Sequence, residues 1–220
     1  AKQGRQYVGG TPMEAGAGFD ILGARFTNLV FSDGVTEDDR PTQLWLALPD
    51  SSTRICAFWD YHGMADGLSW SSFWFINGEL DGGSSITGQT WGGGMNGNWW
   101  VCIFNEVGLG RGVYELVLEV EGRVFATDSV FVGGDRIAVE FKLMNNTPST
   151  VCAVNLAPTL AKNWGQNDLD LNEKIEPGDS HVFQLASGEY DLRVLDCEGG
   201  AMLEDFEIGL AEDFELNLAK

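Results

Sequence analysis

Asp60, His62 and Asp66, in the run WDYHGMADG, come closest in type and spacing to a reactive site: an imidazole flanked by carboxylates can bind a metal ion or act as a base. The same spacing suits a strand end running into a glycine turn, where polar side chains are expected on conformational grounds. The other histidine, His181, is far along the chain, so a Ser-His-Asp site would need a long fold-back. Asp168, Asp170 and Asn172 imitate the first three ligand positions of a calcium loop, but Glu173 stands where that loop needs glycine. Leu169 and Leu171 alternate there as strand residues would, so a solvated turn is expected. Gly108-Leu109-Gly110-Arg111-Gly112 lacks the helix pattern and Lys-Ser/Thr pair of a nucleotide loop and reads as a turn into a strand. Asn145-Asn146-Thr147 fits the glycosylation acceptor pattern and is expected to be idle. No catalytic set, metal site or cofactor is expected.

Seven of the eight tryptophans lie between Trp45 and Trp100. Flat indole faces can stack on the apolar faces of sugars, and Trp70, Trp74, Trp91 and Trp99 are the candidates for such a platform. Core packing and burial in a protein interface compete for the same side chains.

The elements that would position these residues read as strands. Gly112 to Val120 (GVYELVLEV) and Gly188 to Cys197 (GEYDLRVLDC) share Gly-x-Tyr-x-Leu, each a glycine turn opening a run in which apolar and charged residues alternate. A period of two marks a strand with one buried face. One such strand per half predicts an all-β chain of two tandem immunoglobulin-like antiparallel β-sandwiches. Twenty-nine glycines against six prolines, with no 3.6-residue periodicity, agree with many short strands joined by glycine turns.

Residues 1–25 form an expected extended, glycine-rich N-terminal arm, lying on its own module as an edge strand or on a neighbouring molecule. Residues 26–132 form the first module, with strands expected at 26–31, 44–48, 54–61, 70–76, 98–104, 113–120 and 123–132. Gly133-Gly134-Asp135 reads as a hinge, and residues 136–220 as a second sandwich of about seven strands. Its alternation is clean, with Ile137, Val139, Phe141 and Leu143 set against Arg136, Ala138, Glu140 and Lys142.

In the first module the alternation breaks. Cys56 and Phe58 share one face of a strand whose other face carries Ile55, Ala57, Trp59 and Tyr61; Trp100, Cys102 and Phe104 oppose Trp99, Val101 and Ile103. If the cysteines mark the inner face, the outer face is apolar as well and needs a cover. Ile55, Trp59, Tyr61, Trp99, Val101 and Ile103, with Tyr7 and Val8 of the arm, are therefore the expected interface residues.

Thirteen basic against 33 acidic residues give a net charge of −20, which repels phosphate backbones and anionic lipid, so no nucleic-acid partner is expected. No apolar run approaches the ~20 residues of a membrane-spanning helix. Cys56, Cys102, Cys152 and Cys197 fall two per module without Cys-x-x-Cys spacing, and one disulfide per module, Cys56 with Cys102 and Cys152 with Cys197, is the natural assignment. That implies an extracellular or cell-surface location, the alternative being four buried thiols in a reducing cytosol.

Val151-Cys152, Trp164-Gly165, Leu169, Ile175, Pro177-Gly178, Phe183, Gly188-x-Tyr190-Asp191-Leu192-Arg193 and Asp196-Cys197-x-Gly199 together make the second module resemble β-sandwich modules of secreted and surface proteins of filamentous bacteria, often C-terminal to other domains. The resemblance implies the fold and the Cys152 to Cys197 pairing, and no common activity. The first module more loosely resembles immunoglobulin-like domains of cell-surface proteins, through Gly112-x-Tyr114-x-Leu116. The leading expectation is a non-enzymatic extracellular subunit that self-assembles, or joins another surface protein, through the apolar faces of its first module and its arm. The alternative is a carbohydrate-binding or adhesion module using the tryptophans. An accessory domain of a larger enzyme ranks last.

Overall fold

A computed structural model describes residues 23–170 and 172–219, together with the strand backbone of Arg5–Gly9 and Pro12–Met13. Among the described residues every regular element is a strand, and all strand pairings but two are antiparallel. The chain divides into two compact units, Ala1–Gly134 and Asp135–Lys220.

The first unit contains β1 (Arg5–Gly9), β2 (Pro12–Met13), β3 (Arg25–Ser32), β4 (Ala47–Leu48), β5 (Arg54–His62), β6 (Ser69–Ile76), β7 (Glu79–Leu80), β8 (Ile86–Thr90), β9 (Asn96–Phe104), β10 (Gly112–Val120) and β11 (Arg123–Val132). One sheet runs β1-β9-β5-β3, with β2 also on β9. The other runs β4-β11-β10-β6-β7, with β8 also on β6. Asn77-Gly78 and Glu121-Gly122 make the tight hairpin turns, all four residues at positive φ, the backbone that matches strand twist.

One core lies between the two sheets. Ile55, Ala57, Trp59 and Tyr61 of β5 and Val101 and Ile103 of β9 meet Trp70 and Trp74 of β6 and Tyr114, Leu116, Leu118 and Val120 of β10. This reverses the expected orientation. Ile55, Trp59, Tyr61, Val101 and Ile103 are buried inside the unit, and Trp99 packs against the same cluster, so they are core and not interface. The disulfide Cys56–Cys102, which joins directly opposed residues of β5 and β9, marks the outer face. There it packs with Phe58 and, partly buried, Val30, Val35 and Trp100. The loop after β3 supplies the cover: Val35 bridges to Pro41, and the Trp100 Nε1 donates to Asp39 Oδ1 at 3.0 Å. Strands apolar on both faces are thus covered on both faces from within the unit.

The arm is also placed in cis. β1 pairs antiparallel with β9, Arg5 opposite Phe104 and Gly9 opposite Trp100, and β2 pairs with Gly97 and Asn96 of the same strand. The side chains of Tyr7 and Val8, and the rest of residues 1–22, lie outside the described residues.

Among its described residues the second unit has six strands where about seven were expected: β12 (Ala138–Asn145), β13 (Val151–Pro158), β14 (Ser180–Ala186), β15 (Gly188–Asp196), β16 (Ala201–Leu210) and β17 (Phe214–Leu218). They form two three-stranded sheets, β14-β12-β17 and β13-β15-β16. Val139, Phe141 and Leu143 of one, and Val154, Leu156, Leu192 and Val194 of the other, are buried. The second disulfide joins Cys152 to Cys197.

The repeated Gly-x-Tyr has one structural meaning in both units. Tyr114 donates its hydroxyl hydrogen to the Gly110 carbonyl at 3.0 Å, and Tyr190 donates to the Ala186 carbonyl at 2.8 Å, each four residues upstream. Each bond pins the loop that enters a central strand, as tyrosine corners do in Greek-key sandwiches.

Candidate functional site

The residues with catalytic spacing take separate structural partners. Asp60 accepts a hydrogen bond from Asn28 Nδ2 at 2.7 Å, His62 is exposed at the end of β5, and Asp66 Oδ1 accepts the Gly94 N–H at 2.8 Å. Asp168 Oδ2 accepts the Leu156 N–H at 2.7 Å and Asn167 Oδ1 the Val154 N–H at 2.9 Å, so these side chains satisfy the outer backbone edge of β13. Among the described residues no group of three or more His, Cys, Asp or Glu is arranged to hold a metal ion. The amide of Asn145 is buried and donates to the Ser149 and Ile175 carbonyls at 2.8 and 2.9 Å, which makes the acceptor pattern structural.

In the second unit the motif residues hold a loop. Asn155 Oδ1 accepts from Arg193 Nε and Nη2 at 3.2 and 3.1 Å, while its Nδ2 donates to the Gln166 carbonyl at 2.7 Å. The Arg193 guanidinium lies 4.8 Å from the centre of the Trp164 ring.

The tryptophans do gather. Trp91 and Trp99 have ring centres 4.7 Å apart and inclined at 47°, Tyr61 meets Trp91 edge-on at 4.7 Å, and Trp70 meets Trp91 edge-on at 5.9 Å. A glycine-rich loop closes over this cluster because its backbone is tied from several sides. The Tyr61 hydroxyl donates to the Gly93 carbonyl, Trp91 Nε1 donates to the Gly94 carbonyl at 2.8 Å, and Asp66 holds the Gly94 N–H. A Cβ on Gly93 would fall 2.7 Å from the Trp91 ring and 3.0 Å from that of Trp99, so only glycine fits. Burial, assisted by the negative charge of Asp66, pushes the Tyr61 hydroxyl up to about 12.

Beside the cluster lies an open cleft of about 660 Å³, lined by Trp70, Ser85, Ile86, Thr87, Gln89, Thr90, Gly92 and Trp99. Of the four tryptophans singled out from sequence, Trp70 and Trp99 line it. Trp91 stands behind Trp99, and Trp74 is core, packed on Phe31 with ring centres 6.3 Å apart. Much of the remaining lining comes from β8, the hydrogen-bonded neighbour of β6, which sequence reasoning missed. Gln89 sits directly opposite Trp70 in the β6–β8 register, so both side chains rise from the same face. Thr87, Gln89 and Thr90 are exposed, and none of the described residues lining the cleft is ionisable. Among the described residues the buried indole N–H of Trp99 meets no hydrogen-bond partner; those of Trp45, Trp59 and Trp74 and the Ser72 hydroxyl share that condition, but none of these four residues lines the cleft.

No family model matches the chain, and a search of curated proteins returned no match.

Proposed function

We propose that this chain is a non-enzymatic carbohydrate-binding module of an extracellular or cell-surface protein, with the cleft beside Trp99 as its site. One observation carries the reading: the partly exposed Trp99 and the edge of the largely buried Trp70 line a cleft together with the uncharged hydrogen-bonding side chains of β8, in a space within the range of ligand pockets, about 300–1,000 Å³. Aromatic faces cover the C–H faces of a sugar ring, while hydroxyl and amide groups exchange hydrogen bonds with its rim. Two disulfides support a non-cytoplasmic setting, and the second unit, with its motif residues committed to holding a loop, serves as an accessory module. The self-assembly reading loses its support, because the faces that were to meet neighbours are covered within the unit.

Titrating the intact protein with a broad glycan panel, neutral and acidic, while following tryptophan fluorescence and backbone amide shifts tests this. Binding should move the Trp99 environment and the amides of β8. Silence across the whole panel would remove the reading.

A further inference from the structure

We infer that the cleft selects uncharged glycans and that Gln89 is the side chain that reads their hydroxyl pattern; this rests on the carbohydrate reading above. Among the described residues the lining offers neither a cation to pair with a uronate or sulfate nor a carboxylate to hold an amino sugar. Around it the chain carries a net charge of −20, which disfavours approach of a polyanion before any contact is made. Selection against acidic chains therefore operates at two ranges, by repulsion at a distance and by a missing partner on contact.

Gln89 has the position to discriminate. It rises beside Trp70 from the neighbouring paired strand, and its amide supplies two donors and an acceptor, which a sugar hydroxyl pair can meet from one side. Thr87 and Thr90 flank it along the same strand and offer rotatable hydroxyls, which adapt to many geometries and so discriminate less. Gln89 is exposed and contributes nothing to the core, so its replacement tests recognition without testing the fold.

The experiment is a calorimetric titration of the full chain with neutral gluco-, manno- and xylo-oligosaccharides, with oligogalacturonate and with chitosan oligomers. Each is run at low and high salt, for the wild type and Gln89→Ala. At least one neutral oligosaccharide should bind with an affinity unchanged by salt; at high salt, where the acidic chain's repulsion of oligogalacturonate and its attraction of chitosan are both screened, the charged ones should bind at least about tenfold more weakly, the equivalent of about one net hydrogen bond. Gln89→Ala should weaken the neutral ligand about tenfold, the equivalent of about one net hydrogen bond, with its melting temperature unchanged. Acidic or amino sugars binding at high salt as tightly as neutral ones would overturn the selectivity while leaving the carbohydrate reading standing. Wild-type affinity in Gln89→Ala would overturn the role of Gln89. Failure of every sugar, charged or not, would instead remove the carbohydrate reading on which both depend.

Discussion

Tyrosine hydroxyls do much of the fine positioning in both units. Burial raises Tyr61 to about 12, and likewise pushes up Tyr114 and, further, Tyr190, each from an ordinary value near 10.0. A folded-state value above the unfolded one means that the folded protein holds its protons longer. The associated stability is fully present below about pH 10 and is lost as pH rises through 10 towards 12. Phenolate absorbance from these three residues should therefore appear only together with loss of structure by circular dichroism. If all three ionise near pH 10 with the fold intact, their hydroxyls are not held as described. Single residues also mark the limits of sequence reading. The Gly-x-Tyr echo was visible, but the upstream carbonyls that the hydroxyls reach were not, because a hydrogen bond to a loop leaves no period in the sequence. Asp66 and Gly93 were similarly opaque: the sequence places a carboxylate and a glycine, and only the folded loop shows the one fastening the other's neighbour.

Strands were legible wherever large apolar residues recur along the run. Ile137 to Leu143 alternates cleanly and forms β12, and the runs that became β5, β6, β9, β10 and β11 were found within a few residues of their ends. β8 was missed because Ile86-Thr87-Gly88-Gln89-Thr90 has a single large apolar residue and an interior glycine, so it carries neither strong alternation nor strong strand propensity. The facing of β5 and β9 was misread for a different reason. With both faces apolar, a period of two fixes which residues share a face but not which face is inside. The disulfide was the only asymmetry, and it lies on the side covered by a loop. Its setting has a chemical consequence. Cys56 and Cys102 are 0% and 2% exposed, whereas Cys197 is exposed and Cys152 half-buried. A thiolate reductant must reach a sulfur to attack it, so mild reduction of the folded protein should open Cys152–Cys197 first. Alkylation followed by peptide mass mapping checks the order, and simultaneous labelling of all four cysteines would contradict the burial.

Each unit closes its own core, and the apolar faces of β5 and β9 have their covers within the same chain. The intact protein should accordingly scatter light as a 24.0 kDa monomer at micromolar concentration. A stable oligomer under those conditions would restore self-assembly as the leading reading, through a surface other than the one first expected. A charge of −20 opposes association further, and more so at low ionic strength. The close indole pair at the cleft also gives the molecule an optical signature. Trp91 and Trp99, 4.7 Å apart and inclined at 47°, do not absorb independently. Their transition dipoles mix, and mixed dipoles at an angle produce a positive and a negative dichroic lobe superimposed on the β-sheet spectrum. Tertiary order around the glycine-rich loop is thereby written into a far-ultraviolet trace, a region ordinarily read for secondary structure alone.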